Sequence, residues 1–264
     1  MLRRELSKYY TPAYVAHMIV EKTNDLLGST ITEFLEPSAG GGVFLDFLPE
    51  GTKAYDIEPE DKRIIKQNFL ELDIPYKKGR CIIGNPPFGV NTNSKCKKSG
   101  NVYAKFVSKS MKLCDYISFI LPVSCHDNPV RFYQFELIHS EILPLLWDKK
   151  IKTCFNIYRR PLVLLKKPSF SLEMVKITED RNGRMINGGD IVICKYGSIG
   201  KECDTHNYSG KMIFTINEKY KQQVIELLRK TNYLEVFGNT YCSVPSLVSW
   251  RVLRYIKQMI PEIY

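Results

Sequence analysis

A chain of 264 residues, 44% hydrophobic and 25% charged, is long enough to bury one large core or one large and one small, and this composition excludes a fibrous or disordered protein. The formal charge of +10 is shared evenly between the two halves of the chain, so neither half is a basic tail. It favours a polyanionic partner such as nucleic acid and would also suit an anionic membrane surface. No 18-residue apolar run and no apolar leader is present, and the eight cysteines contain no CxxC pair. The expectation is a soluble, cytoplasmic protein with reduced thiols and no membrane partner.

After a basic opening, Thr11 as N-cap with Pro12 at the first helical position predicts a helix carrying Val15, Ile19 and Leu26 and ending at Gly28. Ile31 to Leu35 reads as a strand that empties into Glu36-Pro37-Ser38-Ala39-Gly40-Gly41-Gly42, and a short helix follows from Val43. Lys53 to Ile57 is a second strand, with Asp56 near its end, followed by a helix through Ile64 and Ile65 and a short segment Asn68-Phe69-Leu70. The next strand, Cys81 to Ile83, runs into Gly84-Asn85-Pro86-Pro87-Phe88-Gly89. Two successive prolines there remove two backbone donors and leave carbonyls aimed at something other than a strand partner. Asn85 adds an acceptor and Phe88 an exposed ring, a set suited to a planar base with an exocyclic amine. A plain proline turn is the alternative.

Val90 to Gly100 is polar and basic, and the helix after it places Val102, Phe106, Ser110 and Leu113 on one face. Ile117 to Leu121 is a buried strand, Pro129 to Ile142 a helix, and Thr153 to Tyr158 and Leu162 to Leu165 are strands. Alternating strands and helices predict an α/β, doubly wound domain over residues 1–165. From Lys166 turn signals multiply at Asn182-Gly183 and Asn187-Gly188-Gly189-Asp190. A strand at Ile191 to Ile193 and two helices, Asn217 to Lys230 and Ser246 to Ile260, complete a second, smaller α+β domain over 166–264.

The glycine loop lacks both the GxGxxG spacing and a phosphate-binding lysine, so by itself it identifies no ligand. Asp56, some way beyond it at the end of the next strand, could take both hydroxyls of a ribose. Cys81 reads as core. Cys194, Cys203, His206 and Cys242 match no usual zinc spacing, and no metal is expected.

Tyr10-Thr11-Pro12, Leu35-Glu36-Pro37-Ser38-Ala39-Gly40-Gly41-Gly42, Asp56-Ile57-Glu58-Pro59, Asn68-Phe69-Leu70 and Asn85-Pro86-Pro87-Phe88, in that order, resemble the class I S-adenosylmethionine-dependent N6-adenine methyltransferases. The members in question place cofactor motifs first and a C-terminal recognition domain last. The resemblance implies a Rossmann-like class I methyltransferase sheet and S-adenosyl-L-methionine as cofactor. Thr11 and Pro12 would lie against its methionine part, and Glu36 with the backbone of Ser38, Gly40 and Gly42 would hold its amino acid end. Asp56 would bind the ribose, Ile57 would pack on the cofactor adenine, and Asn68 and Phe69 would meet that ring. Many relatives carry aspartate where this chain has Asn68.

The Asn85 side-chain oxygen and the Pro86 carbonyl would draw the amine hydrogens of a target adenine out of plane, localising the lone pair for in-line attack on the sulfonium methyl. A base in a duplex cannot reach the loop, so base flipping is implied, with Phe88 stacking on the extruded ring. Phe155 or Tyr158 are the candidates for the opposite face, with core packing as the alternative for both. Lys95, Lys97 and Lys98 could reach DNA just past the catalytic loop. Arg251, Arg254 and Lys257 could track phosphates, or form a solvated helix face.

Gly189-Asp190-Ile191-Val192-Ile193 with Gly197-Ser198-Ile199-Gly200-Lys201 is similar to target-recognition domains of type I restriction specificity subunits and of type II adenine methyltransferases. Together these resemblances imply a site-specific adenine methyltransferase of restriction-modification or orphan type, monomer or dimer, acting on double-stranded DNA. A cognate restriction endonuclease would be its companion. The rival readings are an RNA adenine methyltransferase, a protein glutamine methyltransferase and a catalytically silent DNA-binding subunit.

Overall fold

The computed structural model describes residues 9–89, 101–144, 152–180, 188–196, 198–203, 210–238 and 246–264. The chain divides into two units, Met1–Lys167 and Pro168–Tyr264, each with its own apolar core.

In the first unit, short apolar runs with little periodicity become buried strands: β1 (Glu33–Glu36), β2 (Lys53–Asp56), β3 (Ile65–Lys66), β4 (Arg80–Gly84), β5 (Tyr116–Pro122), β6 (Glu136–Ile142) and β7 (Thr153–Arg159). They form one sheet in the order β3-β2-β1-β4-β5-β7-β6. The pairs from β3 to β5 are parallel, and β7 runs antiparallel between β5 and β6. Helices α1 (Ala13–Leu27) and α2 (Val102–Ser110) bury Val15, Ile19 and Val20, and Tyr103, Phe106 and Val107, against it. Strand order reverses between β1 and β4, so the carboxyl ends of those two strands diverge and open a crevice, the usual place for a ligand in such sheets.

Pro12 occupies the α1 cap position with no side-chain capping bond, so the Thr11 hydroxyl is spent elsewhere. The helix expected over Pro129 to Ile142 is instead a loop followed by β6. Leu137, Ile138 and Ile142 satisfy either period, and pairing with β7 decides for strand. No strand forms at Leu162 to Leu165, whose side chains are exposed: both edges of β7 are already taken by β5 and β6. Ile65 lies in edge strand β3, while Ile64 packs on Ala39 and Ala54.

The second unit holds a three-stranded antiparallel sheet, β8 (Val175–Asp180), β9 (Ile191–Cys194) and β10 (Lys211–Ile216), in the order β8-β10-β9. Helices α3 (Lys221–Lys230), α4 (Tyr233–Phe237) and α5 (Ser249–Met259) supply Val224, Leu228, Phe237, Val252 and Ile256 to its core. The α3 helix starts four residues after Asn217, because Asn217 to Tyr220 close a turn first. The turn expected at Asn182-Gly183 lies outside the described residues. Among the described residues no helix is long and apolar enough to cross a membrane.

Candidate active site

Three strand ends bring the chemistry together. Glu36 closes β1, Asp56 closes β2, and Gly84 closes β4 immediately before Asn85. They open onto a cavity of about 400 Å³, within the range for small-molecule sites. Of the residues singled out in the sequence, Thr11, Glu36, Ser38, Gly40, Asp56, Ile57, Asn68, Phe69, Asn85, Pro86 and Phe88 border it. Pro12 does not; it caps α1. Gly42 does not either, being left-handed at φ 80° and backed against Asp61 and Arg63.

The glycine loop is held from several sides. Asp56 Oδ2 accepts from Gly40 N (2.8 Å), Ala39 N donates to Tyr55 O (3.0 Å), and Gly42 N donates to Ala39 O (2.7 Å). Asp56 Oδ1 accepts from Glu58 N (2.8 Å), so each carboxylate oxygen already has one backbone partner and keeps capacity for a second donor such as a hydroxyl.

Glu36 is 1% exposed and its Oε2 has no hydrogen-bond partner among the described residues. Burial, helped by the nearby Asp56 charge, pushes its carboxyl up from an ordinary 4.5 to about 8. A buried carboxyl at a cavity wall with an unpaired oxygen is complementary to a cationic or strongly donating ligand group. Gly84 makes room for it, since a Cβ there would stand 3.3 Å from Glu36 Cγ.

The Asn85-Pro86-Pro87-Phe88 loop is fixed by its neighbours. Asn85 Nδ2 donates to Tyr9 O (3.1 Å) and to Thr11 Oγ1 (3.2 Å). A carbonyl can only accept, so this pairing settles which amide atom is nitrogen and leaves Oδ1 without a partner among the described residues. Ser38 Oγ donates to the Asn85 carbonyl (3.2 Å), tying the glycine loop to the proline loop. Tyr10 lies against Gly40 and Gly41 and donates to Glu60 Oε1 (2.5 Å). Residues 9–11 thus touch both loops. The sequence offered a signal for this in Tyr9-Tyr10 next to Thr11-Pro12, but the partner of Asn85 is a backbone atom 76 positions away.

At the other end of the cavity, Phe69 stacks on Phe106 at 5.4 Å. Asn68 is the N-cap of a short 3-10 turn: its Oδ1 accepts from Leu70 N (3.1 Å) and its Nδ2 donates to Glu71 Oε1 (2.8 Å). Val43, Phe44, Gln67 and Val102 complete the wall and were not distinguished in the sequence from core residues.

Two expectations need correction and one cannot be placed. Phe88 borders the cavity, but its ring is buried rather than exposed, packed edge-on against Tyr103 at 6.3 Å. Phe155 and Tyr158 do not reach the cavity; both lie on β7 inside the core, where Phe155 meets His139 and Tyr158 meets Phe132 and the Asn156 amide. Lys95, Lys97 and Lys98 lie outside the described residues, as do His206 and Cys242. The thiol of Cys81 is fully buried, and burial holds it well above the usual range, which makes it inert as a nucleophile.

No family model matches the chain, and no curated protein does. Solved structures are similar in part. One, provisionally named an RNA methyltransferase of Pyrococcus horikoshii, is 15% identical over 61% of this chain and 91% of its own, with a TM-score of 0.45. Another, provisionally named a class I S-adenosylmethionine-dependent methyltransferase of Listeria monocytogenes, is 14% identical over 60% and 62%, with a TM-score of 0.46. The methyltransferase subunit of a type I restriction-modification system from Streptococcus thermophilus is 11% identical over 98% and 61%, with a TM-score of 0.41. This chain therefore spans about three fifths of the length of the second and third. The sheet order with its antiparallel seventh strand is the α/β, Rossmann-like class I methyltransferase fold.

Proposed function

We propose that this protein binds S-adenosyl-L-methionine and transfers its methyl group to N6 of an adenine extruded from double-stranded DNA. The observation that carries the reading is the state of Asn85. Its Nδ2 is committed to Tyr9 and Thr11, so Oδ1 remains for another donor, and the next residue, Pro86, borders the same cavity and is followed by a proline that has no N–H. Two fixed acceptors suit the two hydrogens of an exocyclic amine. Loading both hydrogens localises the nitrogen lone pair and stabilises the positive charge that develops during attack.

For the cofactor, the buried Glu36 carboxyl offers its unpaired oxygen to an α-ammonium group, Asp56 its remaining lone pairs to ribose hydroxyls, and Ile57 and Phe69 apolar contact to a purine. When bound, the cofactor supplies an electrophilic methyl on a sulfonium. The chain's part is to place the amine in line with it and to accept the amine's protons as hydrogen bonds. No covalent enzyme intermediate is needed, in keeping with the protonated Cys81. Phe88 would wall one side of the acceptor base. In this reading residues 1–165 do the chemistry and 166–264 select the sequence, with a restriction endonuclease as companion activity.

The test is methyl transfer from labelled cofactor to duplex DNA, RNA and protein in parallel, with Asn85→Ala alongside. Label is expected in DNA at N6 of adenine, falling at least about 100-fold in Asn85→Ala, the loss typical for one oxyanion-type contact. Label in RNA alone would move the substrate assignment, and transfer that survives Asn85→Ala would remove the mechanism.

A further inference from the structure

The connection from β5 to β6, residues 123–135, is held more firmly than a connection requires. It contains Asp127 at φ 41° and Phe132 at φ 63°, the two non-glycine residues with left-handed backbone among the described residues. Each such residue costs about 1–3 kcal/mol and persists only where its surroundings impose it. The imposing groups are on β6 and β7. Ser140 Oγ accepts from Asp127 N (2.8 Å), bonds His126 Nδ1 (2.9 Å) and donates to Asn156 Oδ1 (2.8 Å). Fully buried Asn156 donates in turn to Cys125 O (2.9 Å) and to the Tyr158 hydroxyl (2.8 Å). Nearer the tip, Asn128 Nδ2 donates to Ser124 O (3.0 Å) and its Oδ1 accepts from Arg131 N (3.1 Å).

What this loop presents is Arg131. Its guanidinium carbon lies 4.9 Å from the Tyr103 ring centroid and 5.5 Å from that of Phe132. Among the described residues no carboxylate pairs with it and no acceptor takes its side-chain N–H groups. Arg63, Arg80, Arg159, Arg160 and Arg229, by contrast, are each ion-paired. Tyr103 in turn packs its edge on Phe88, which borders the cavity. A cation oriented by two rings, with its donors unspent, therefore stands one aromatic residue away from the ring beside the acceptor pair.

We infer that Arg131 binds a phosphodiester of the strand whose base enters the cavity, fixing that strand while the base is held against Phe88. A guanidinium offers paired, parallel donors that match two phosphate oxygens, and stacking on Tyr103 and Phe132 spares it the loss of side-chain freedom on binding. This rests on the reading of a nucleic-acid acceptor, and it adds a positioning residue outside the motifs that suggested that reading.

The experiment is equilibrium binding of a fluorescent DNA duplex to the full chain across about 50 to 200 mM salt, for wild type, Arg131→Gln and Arg131→Lys. One phosphate contact contributes about −0.9 to the slope of log K against log salt, so over this range wild type should lose about threefold more affinity than Arg131→Gln. Arg131→Lys keeps the charge and should keep the wild-type slope, although it binds more weakly at any one salt concentration. An unchanged slope in Arg131→Gln overturns the inference, as does a Lys variant that behaves like the Gln variant, because the side chain would then only brace the aromatic cluster. Wild type that fails to bind duplex at low salt overturns it too. Cofactor calorimetry on the same three proteins should give equal affinities. A duplex slope that changes as expected, without methyl incorporation into any nucleic acid, leaves the inference standing and removes the methyl-transfer reading instead.

Discussion

Glu36 is where one side chain's environment has the plainest consequence. In the folded protein its carboxyl keeps its proton up to about pH 8, against 4.5 for an ordinary glutamate, because burial and the Asp56 charge both oppose ionisation. Between those two values the folded state holds a proton that the unfolded chain has released. Its contribution to stability is therefore fully present below about pH 4.5, declines as pH rises, and is gone above about pH 8. Denaturant midpoints should show this decline in wild type and a flatter profile in Glu36→Gln. A ligand ammonium reverses the preference, so cofactor binding near neutral pH should release close to one proton. Calorimetry in buffers of different ionisation heat should detect it in wild type and not in Glu36→Gln. The candidacy of Glu36 came from the resemblance carried by Leu35-Glu36-Pro37-Ser38-Ala39-Gly40-Gly41-Gly42. Its unpaired oxygen was not legible in the sequence, because that depends on what β2 and β4 fail to offer it. The same holds for Asn85: its type was readable, but its orientation depends on Tyr9 and Thr11.

Helices and strands were read correctly where apolar spacing had a single solution. The α2 face with Phe106 and Ser110 is buried, and β4 and β5 are buried along nearly their whole length. The reading failed at β6, where seven residues could serve either period and only β7, arriving later in the chain, settles the matter. It also missed α4, β8 and β10, which are short and owe their form to packing in the second unit. Asn156 on β7 bears on this level of structure because it joins β7 to the β5–β6 loop and to β6 through Ser140. Replacing it with leucine would remove the hydrogen bonds it makes to the Cys125 carbonyl, the Ser140 hydroxyl and the Tyr158 hydroxyl. Asn156→Leu should lower unfolding free energy by about 2–4 kcal/mol, as measured in denaturant, since each buried hydrogen bond lost costs about 0.5–1.5 kcal/mol.

The two units carry separate cores, which is the physical condition for separate folding. A fragment ending at Lys167 should bind cofactor with an affinity within about threefold of the full chain while losing sequence preference in methyl transfer; calorimetry and a panel of duplexes would check both. The order of the seven strands could not be read from the sequence, because crossovers follow from which edges remain open. The position of the site could, because its motifs fall at the ends of successive strands. One property of that site reaches further than its contacts. The segment Gly40 to Gly42 is fastened by Ala39, Asp56 and Glu60 through bonds internal to the protein. Confining three residues costs about 3–6 kcal/mol of chain entropy at about 1–2 kcal/mol each. Here that cost is met during folding rather than at each binding event, so affinity at this loop reports contact quality alone, and a ligand finds its cradle already shaped.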